Sequence, residues 1–135
     1  NDLTQYTMAA DRQLGSLATL NDPWQPAVLQ LIKSTVDGAR AAEAAAGSDS
    51  LEAPKNVGVC GESAADPALA VVLAGLGVNT LSMTPRALAS VGAVLASVSI
   101  AEARDLASLA LGAASAAEAR AAVRSRLGIL EELGL

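Results

Sequence analysis

Apolar positions recur with a helical period over residues 26–46, where Val28, Leu29, Ile32, Val36 and Ala39 fall on one stripe. Pro26 suits the first turn of that helix, where its missing N–H costs nothing. Before it, residues 1–4 read as the end of a strand or the start of a loop, and residues 3–14 as a short helical turn. Residues 15–25 read as a loop carrying the turn signal Asn21-Asp22-Pro23. Residues 47–56 are polar and rich in turn formers, which predicts a surface loop or small insertion. Residues 57–60, Val-Gly-Val-Cys, form a short buried strand, and residues 78–83 a second. Between them Asp66 and Pro67 open a helix that Gly75 or Gly77 closes. Its stretch 68–76 is apolar all round and predicts a buried helix. From Thr84-Pro85 onward the pattern is helical almost throughout. A helix runs to about Ser97. Ser99 with Glu102 is a capping box opening a helix to about Gly112, and Ser115 with Glu118 repeats it for a helix to about Leu127. Residues 129–135 add a last turn.

Strands separated by helices imply an α/β fold with parallel pairing. Two parallel strands are not a stable sheet, because such sheets are buried on both faces. The chain also opens without a methionine, on a polar segment with no strand before it. The expectation is one unit, residues 1–135, cut from something larger that supplies the neighbouring strands.

Composition bounds the core. Hydrophobic residues make up 52% of the 135 positions, but much of that is alanine, with no Phe, one Trp (Trp24) and one Tyr (Tyr6). Such a core buries little area per residue, at roughly 25 cal/mol per Å², so marginal stability or stability borrowed from a partner surface is expected. The net charge is −5 and there is no basic stripe, which argues against nucleic acid as the main ligand. Arg120, Arg124 and Arg126 read as the solvated face of a helix. One cysteine makes no internal disulfide, and no apolar run reaches the ~18 residues of a membrane span. A cytoplasmic chain without membrane contact is expected. There is no histidine, which excludes a Ser-His-Asp triad, a Cys-His pair and any His-ligated zinc within this chain.

Chemistry then rests on carboxylates, arginines, backbone groups or the one thiol. Cys60 ends an apolar run, is followed by Gly61 and Glu62, and leads to the helix start Asp66-Pro67. In parallel α/β folds the carboxyl end of a strand is where active sites are built. A lone cysteine taken by itself is more often a buried structural residue. Glu62 divides evenly between a supporting role at such a site and a surface acid. Asp66 reads as a helix cap only, and Trp24 as filling a loop pocket or a subunit contact.

Three ordered motifs carry a resemblance. Residues 1–12, Asn-Asp-Leu-Thr-Gln-Tyr-Thr-Met-Ala-Ala-Asp-Arg, residues 57–67, Val-Gly-Val-Cys-Gly-Glu-Ser-Ala-Ala-Asp-Pro, and residues 76–85, Leu-Gly-Val-Asn-Thr-Leu-Ser-Met-Thr-Pro, together resemble enzyme I of the bacterial sugar phosphotransferase system, the phosphoenolpyruvate–protein phosphotransferase family. The likeness covers nearly the whole chain. It implies the C-terminal part of a (β/α)8 TIM-type barrel with extra C-terminal helices, which binds phosphoenolpyruvate and magnesium at the carboxyl ends of its strands. It implies Asp2 as a magnesium ligand, which suits a cation that takes hard oxygen donors. Asn1 and Asp2 would meet the substrate, and Arg12 would pair its planar fork with phosphate oxygens. Cys60 would be the general acid that protonates the methylene carbon of enolpyruvate; an unperturbed thiol titrates near 8.5. The phosphoryl group would pass to a histidine on another domain and then to the phosphocarrier protein HPr. The intact family dimerises through this barrel, so a homodimer or other self-association is implied.

Ser63 and Ala65 depart from the family pattern, which usually has a bulky apolar residue and a glycine there. Two other readings remain open. One is a non-catalytic helical interaction module that keeps the cysteine motif as a relic. The other is a pyruvate phosphate dikinase or phosphoenolpyruvate synthase type enzyme, which shares the Asn-Asp-Leu-Thr-Gln and Cys-Gly elements. Magnesium-dependent phosphoenolpyruvate binding separates the first of these from an enzyme.

Overall fold

The computed structural model describes residues 2–11, 13–46 and 55–135. Its centre is the apolar stretch after Asp66, which forms helix α4 (Pro67–Leu76). Asp66 caps it, its Oδ1 accepting from the Ala68 and Leu69 N–H groups at 3.0 and 3.1 Å. Gly77, with φ of 99°, closes it, and Val78 N–H reaches back to the Leu73 carbonyl at 3.0 Å. Of the two glycines expected as stops, Gly77 does the stopping. Gly75 has another use: a Cβ there would lie 2.0 Å from the Ala103 carbonyl oxygen. It lets α4 approach helix α6 (Ile100–Gly112) closely, and α4 packs chiefly against that helix. Ala103, Ala107 and Ala110 are buried on the facing side. Close approach of small residues is how a core with so few aromatics is filled.

Around this pair lie α2 (Pro26–Ala46), α5 (Leu88–Ala96), α7 (Ala116–Arg124) and α8 (Ile129–Glu132). In α2 the buried positions Val28, Leu29, Ile32 and Val36 are the expected stripe; Ala39 is only half-buried. Ser99 makes a full capping box with Glu102, as its spacing predicts. The second one is shifted: Ser115 Oγ accepts from Glu118 N–H, but the Glu118 carboxylate reaches Ala114 N–H at 3.1 Å instead of Ser115.

The strands are β1 (Gly58–Cys60) and β2 (Thr80–Ser82), paired parallel with Gly58 opposite Thr80, Val59 opposite Leu81 and Cys60 opposite Ser82. Backbone bonds from Asn79 N–H to Val57 and from Gly61 N–H to Ser82 extend the ladder at both ends. Both strands are shorter than the apolar runs suggest, and β1 is not the buried strand expected: Gly58 and Cys60 are exposed and Val59 is half-buried. Among the described residues the architecture is a mostly helical α/β arrangement with this two-stranded sheet. No single described helix is long and apolar enough to cross a membrane.

Three local expectations change. Asp2 begins helix α1 (Asp2–Thr7), not a strand end, and α1 stops well before residue 14. The link from β1 to α4 holds a separate turn of helix, α3 (Glu62–Ala65). The helix after Thr84 begins as a 3-10 turn, Pro85–Ala87, before α5. The loop expected at residues 47–56 lies mostly outside the described residues.

Candidate functional site

The site begins with the turn that follows β1. Cys60 is its last residue, and Gly61 then takes φ 80° and ψ −150°, a backbone region that side chains essentially forbid. Gly61 donates its N–H to Ser82 and accepts at its carbonyl from Ala64 and Ala65, each at 3.0 to 3.1 Å. The chain thereby leaves the sheet and enters α3 in a single residue. Cys60 stays at the open end of the ladder as a free, exposed thiol. The reading of a lone cysteine as buried and structural therefore does not hold here.

A cleft of ≈ 310 Å³ opens beside this turn. One wall is β1, the residue before it and α3, contributing Val57, Val59, Cys60 and Ser63. The other is α2 and α1, contributing Val28, Ile32, Thr35, Leu3, Thr4 and Asp2. So Asp2 and Cys60, 58 positions apart in the sequence numbering, line one cavity. Thr4 and Ser63 are buried polar residues on the same cleft. Asn1 and Arg12 lie outside the described residues. Glu62 is exposed on α3.

Asp2 brings one hard-oxygen carboxylate to the cleft that Thr4 and Ser63 also line. That chemistry fits magnesium, which is commonly held by one or two carboxylates together with substrate phosphate. Among the described residues no group of three His, Cys, Asp or Glu could hold a metal alone. Asp2 would thus be one ligand of a cation whose other ligands come from outside the described residues.

Sequence reasoning missed one constellation. Trp24 is fully buried, and its Nε1–H donates to Asp66 Oδ2 at 2.8 Å. Its backbone N–H donates to Asp22 Oδ1 at 3.0 Å. Both oxygens of Asp22 accept from Arg120 Nη2 at 2.8 Å, and the Arg120 guanidinium lies over the indole, 5.7 Å from its centroid. Arg120 is therefore not simply solvated, and Asp66 is more than a cap. The only hint in the sequence is that the single tryptophan and the cap each flank a helix start.

The chain matches the family described as PEP-utilising enzyme, PEP-binding domain, over residues 1–100. It is 50% identical over 127 residues to the phosphoenolpyruvate-protein phosphotransferase of Streptomyces coelicolor, covering 94% of this chain and 21% of that protein. It is 44% identical over 128 residues to the multiphosphoryl transfer protein of Xanthomonas campestris, covering 95% of this chain and 14% of that one. The phosphoenolpyruvate-protein phosphotransferase of Haloferax volcanii is 44% identical over 118 residues, 87% of this chain and 19% of its own length. The chain thus spans about a fifth or less of the length of these relatives.

Proposed function

The chain belongs to the PEP-utilising enzymes, matching their PEP-binding domain, and from that premise we propose that it forms one side of the active site of a phosphoenolpyruvate–protein phosphotransferase. The observation that carries the reading is the single cleft lined by Asp2 and by the exposed Cys60 thiol.

In this mechanism phosphoenolpyruvate lies in the cleft with its methylene carbon toward Cys60. The ester P–O bond breaks and a P–N bond forms to a histidine, which this chain does not contain. The enolate left behind takes the thiol proton at its methylene carbon and becomes pyruvate. The Cys60 thiolate then recovers a proton from solvent. Proton transfer by a positioned side chain of this kind contributes ~10²–10⁴-fold. Asp2 would hold a magnesium ion, which would neutralise phosphoryl charge when bound. Asn1 and Arg12 complete the phosphate contacts. The apolar side chains of Val28 and Ile32 on one wall and Val59 on the other keep water from the enolate.

The two strands are the last part of a (β/α)8 barrel, with the α5 to α8 helices at its end. The histidine passes phosphoryl on to HPr, the working unit is a homodimer, and the setting is the cytoplasm. This chain alone does not transfer phosphate.

The test is a graft. This chain replaces the matching segment of the Streptomyces coelicolor protein, and phosphorylation by labelled phosphoenolpyruvate is followed with and without magnesium. Magnesium-dependent labelling is expected. A soluble, folded graft without labelling refutes the catalytic reading and favours the helical interaction module.

A further inference from the structure

A part-buried side-chain bond links the segments that lead into the two walls of the cleft. Trp24 stands two residues before Pro26, which opens α2, and Val28 and Ile32 of α2 line one wall. Asp66 is the last residue held by α3, its N–H donating to the Glu62 carbonyl at 3.1 Å, and Ser63 of α3 lines the other wall. The Trp24 Nε1–H to Asp66 Oδ2 bond, 2.8 Å and charge-assisted, spans 42 positions and joins the start of one wall to the end of the other. We infer that Trp24 is a positioning residue: through Asp66 it holds the turn carrying Cys60 at a set distance from α2 and from Asp2.

Three features fit this role better than that of a core filler. The indole N–H is satisfied by a side chain on the far wall, not by a local carbonyl. Asp66 divides its oxygens, Oδ1 capping α4 and Oδ2 taking the indole, so the cap and the tether share one carboxylate. The ring itself is clamped by Arg120, which Asp22 fixes from the loop before Trp24. The inference rests on reading Asp2 and Cys60 as two sides of one site.

The experiment uses the 135-residue chain, Trp24→Phe and Asp66→Asn. Phe keeps an aromatic ring and removes the donor; Asn keeps a good helix cap and removes the charge. Two quantities are measured: the rate at which dithionitrobenzoate modifies Cys60, and amide hydrogen exchange. Expected for Trp24→Phe are a roughly threefold or greater rise in the thiol rate and about tenfold faster exchange at Ala64, Ala65 and Asp66, with the α6 amides unchanged. A thiol rate and α3 exchange equal to the parent chain overturn the tether. So does uniform acceleration of all amides, which marks a merely structural residue. If Trp24→Phe does not fold, Asp66→Asn carries the same readouts.

In a parallel arm, magnesium plus phosphoenolpyruvate is added to the chain grafted into the Streptomyces coelicolor protein, which supplies the rest of the site. Protection of Cys60 in that graft supports the site reading. Absence of protection, with the Trp24→Phe changes intact, refutes that reading and leaves the tether standing.

Discussion

At the scale of single residues the account turns on Gly61. Its φ of 80° and ψ of −150° belong to glycine alone, and three backbone bonds hold it there. Gly61→Ala is expected to cost about 1–3 kcal/mol, read by denaturant unfolding, and to displace the Cys60 thiol. An unchanged midpoint would mean the turn relaxes freely. Glu102 gives a pH signature. Ser99 donates to its carboxylate from both N–H and Oγ at 2.7 Å, which lowers its pKa below the ordinary 4.5. A carboxylate with a lowered folded pKa contributes stability above the unfolded value and loses it as pH falls through the folded one. Ser99→Ala should therefore lower the unfolding midpoint at neutral pH, with the gap to the parent chain narrowing in acid. A pH-independent gap would contradict this. Both caps at Asp66 and Ser99 were legible in the sequence, because a cap needs only a residue and the next turn. The Trp24–Asp66 and Asp22–Arg120 bonds were not, because their partners stand 42 and 98 positions apart and no local pattern announces them.

At the scale of elements the decisive contact is α4 on α6. A hydrophobic run such as 68–76 announces a buried helix but not which neighbour it will meet. That choice is made by Gly75 facing Ala103, a match of backbone surfaces that sequence periodicity does not encode. Gly75→Ala places a methyl 2.0 Å from a carbonyl oxygen, so one helix must shift; a loss of about 1–3 kcal/mol is expected. A stable variant, measured by thermal unfolding, would show that the two helices slide without cost. The strands were legible in existence and less so in extent. Their ends at Val57 and Asn79 are held by side-chain and backbone bonds between the two segments, including Val57 N–H to Asn79 Oδ1 at 3.1 Å. Helix α3 was hidden because Gly61 supplies a turn tight enough to start a helix directly after the strand.

At the scale of the whole molecule, the fold brings the two signature segments to one cleft. Helix α1 rests on α2, β1 borders the same cleft, and α3 sets Ser63 beside Cys60. The sequence motifs named both ends of this arrangement. The intervening apolar wall became visible only in the packing, because Val28 and Ile32 read as ordinary core stripe until the cleft placed them. In the proposed reaction Cys60 is the residue on which the chemistry depends. In the grafted phosphotransferase, Cys60→Ala should cut kcat for phosphoenolpyruvate-dependent transfer by ~10²–10⁴-fold and leave KM within roughly threefold, the pattern of a group that acts in the transition state. A Cys60→Ala graft with kcat unchanged would contradict the assignment of the thiol as proton donor.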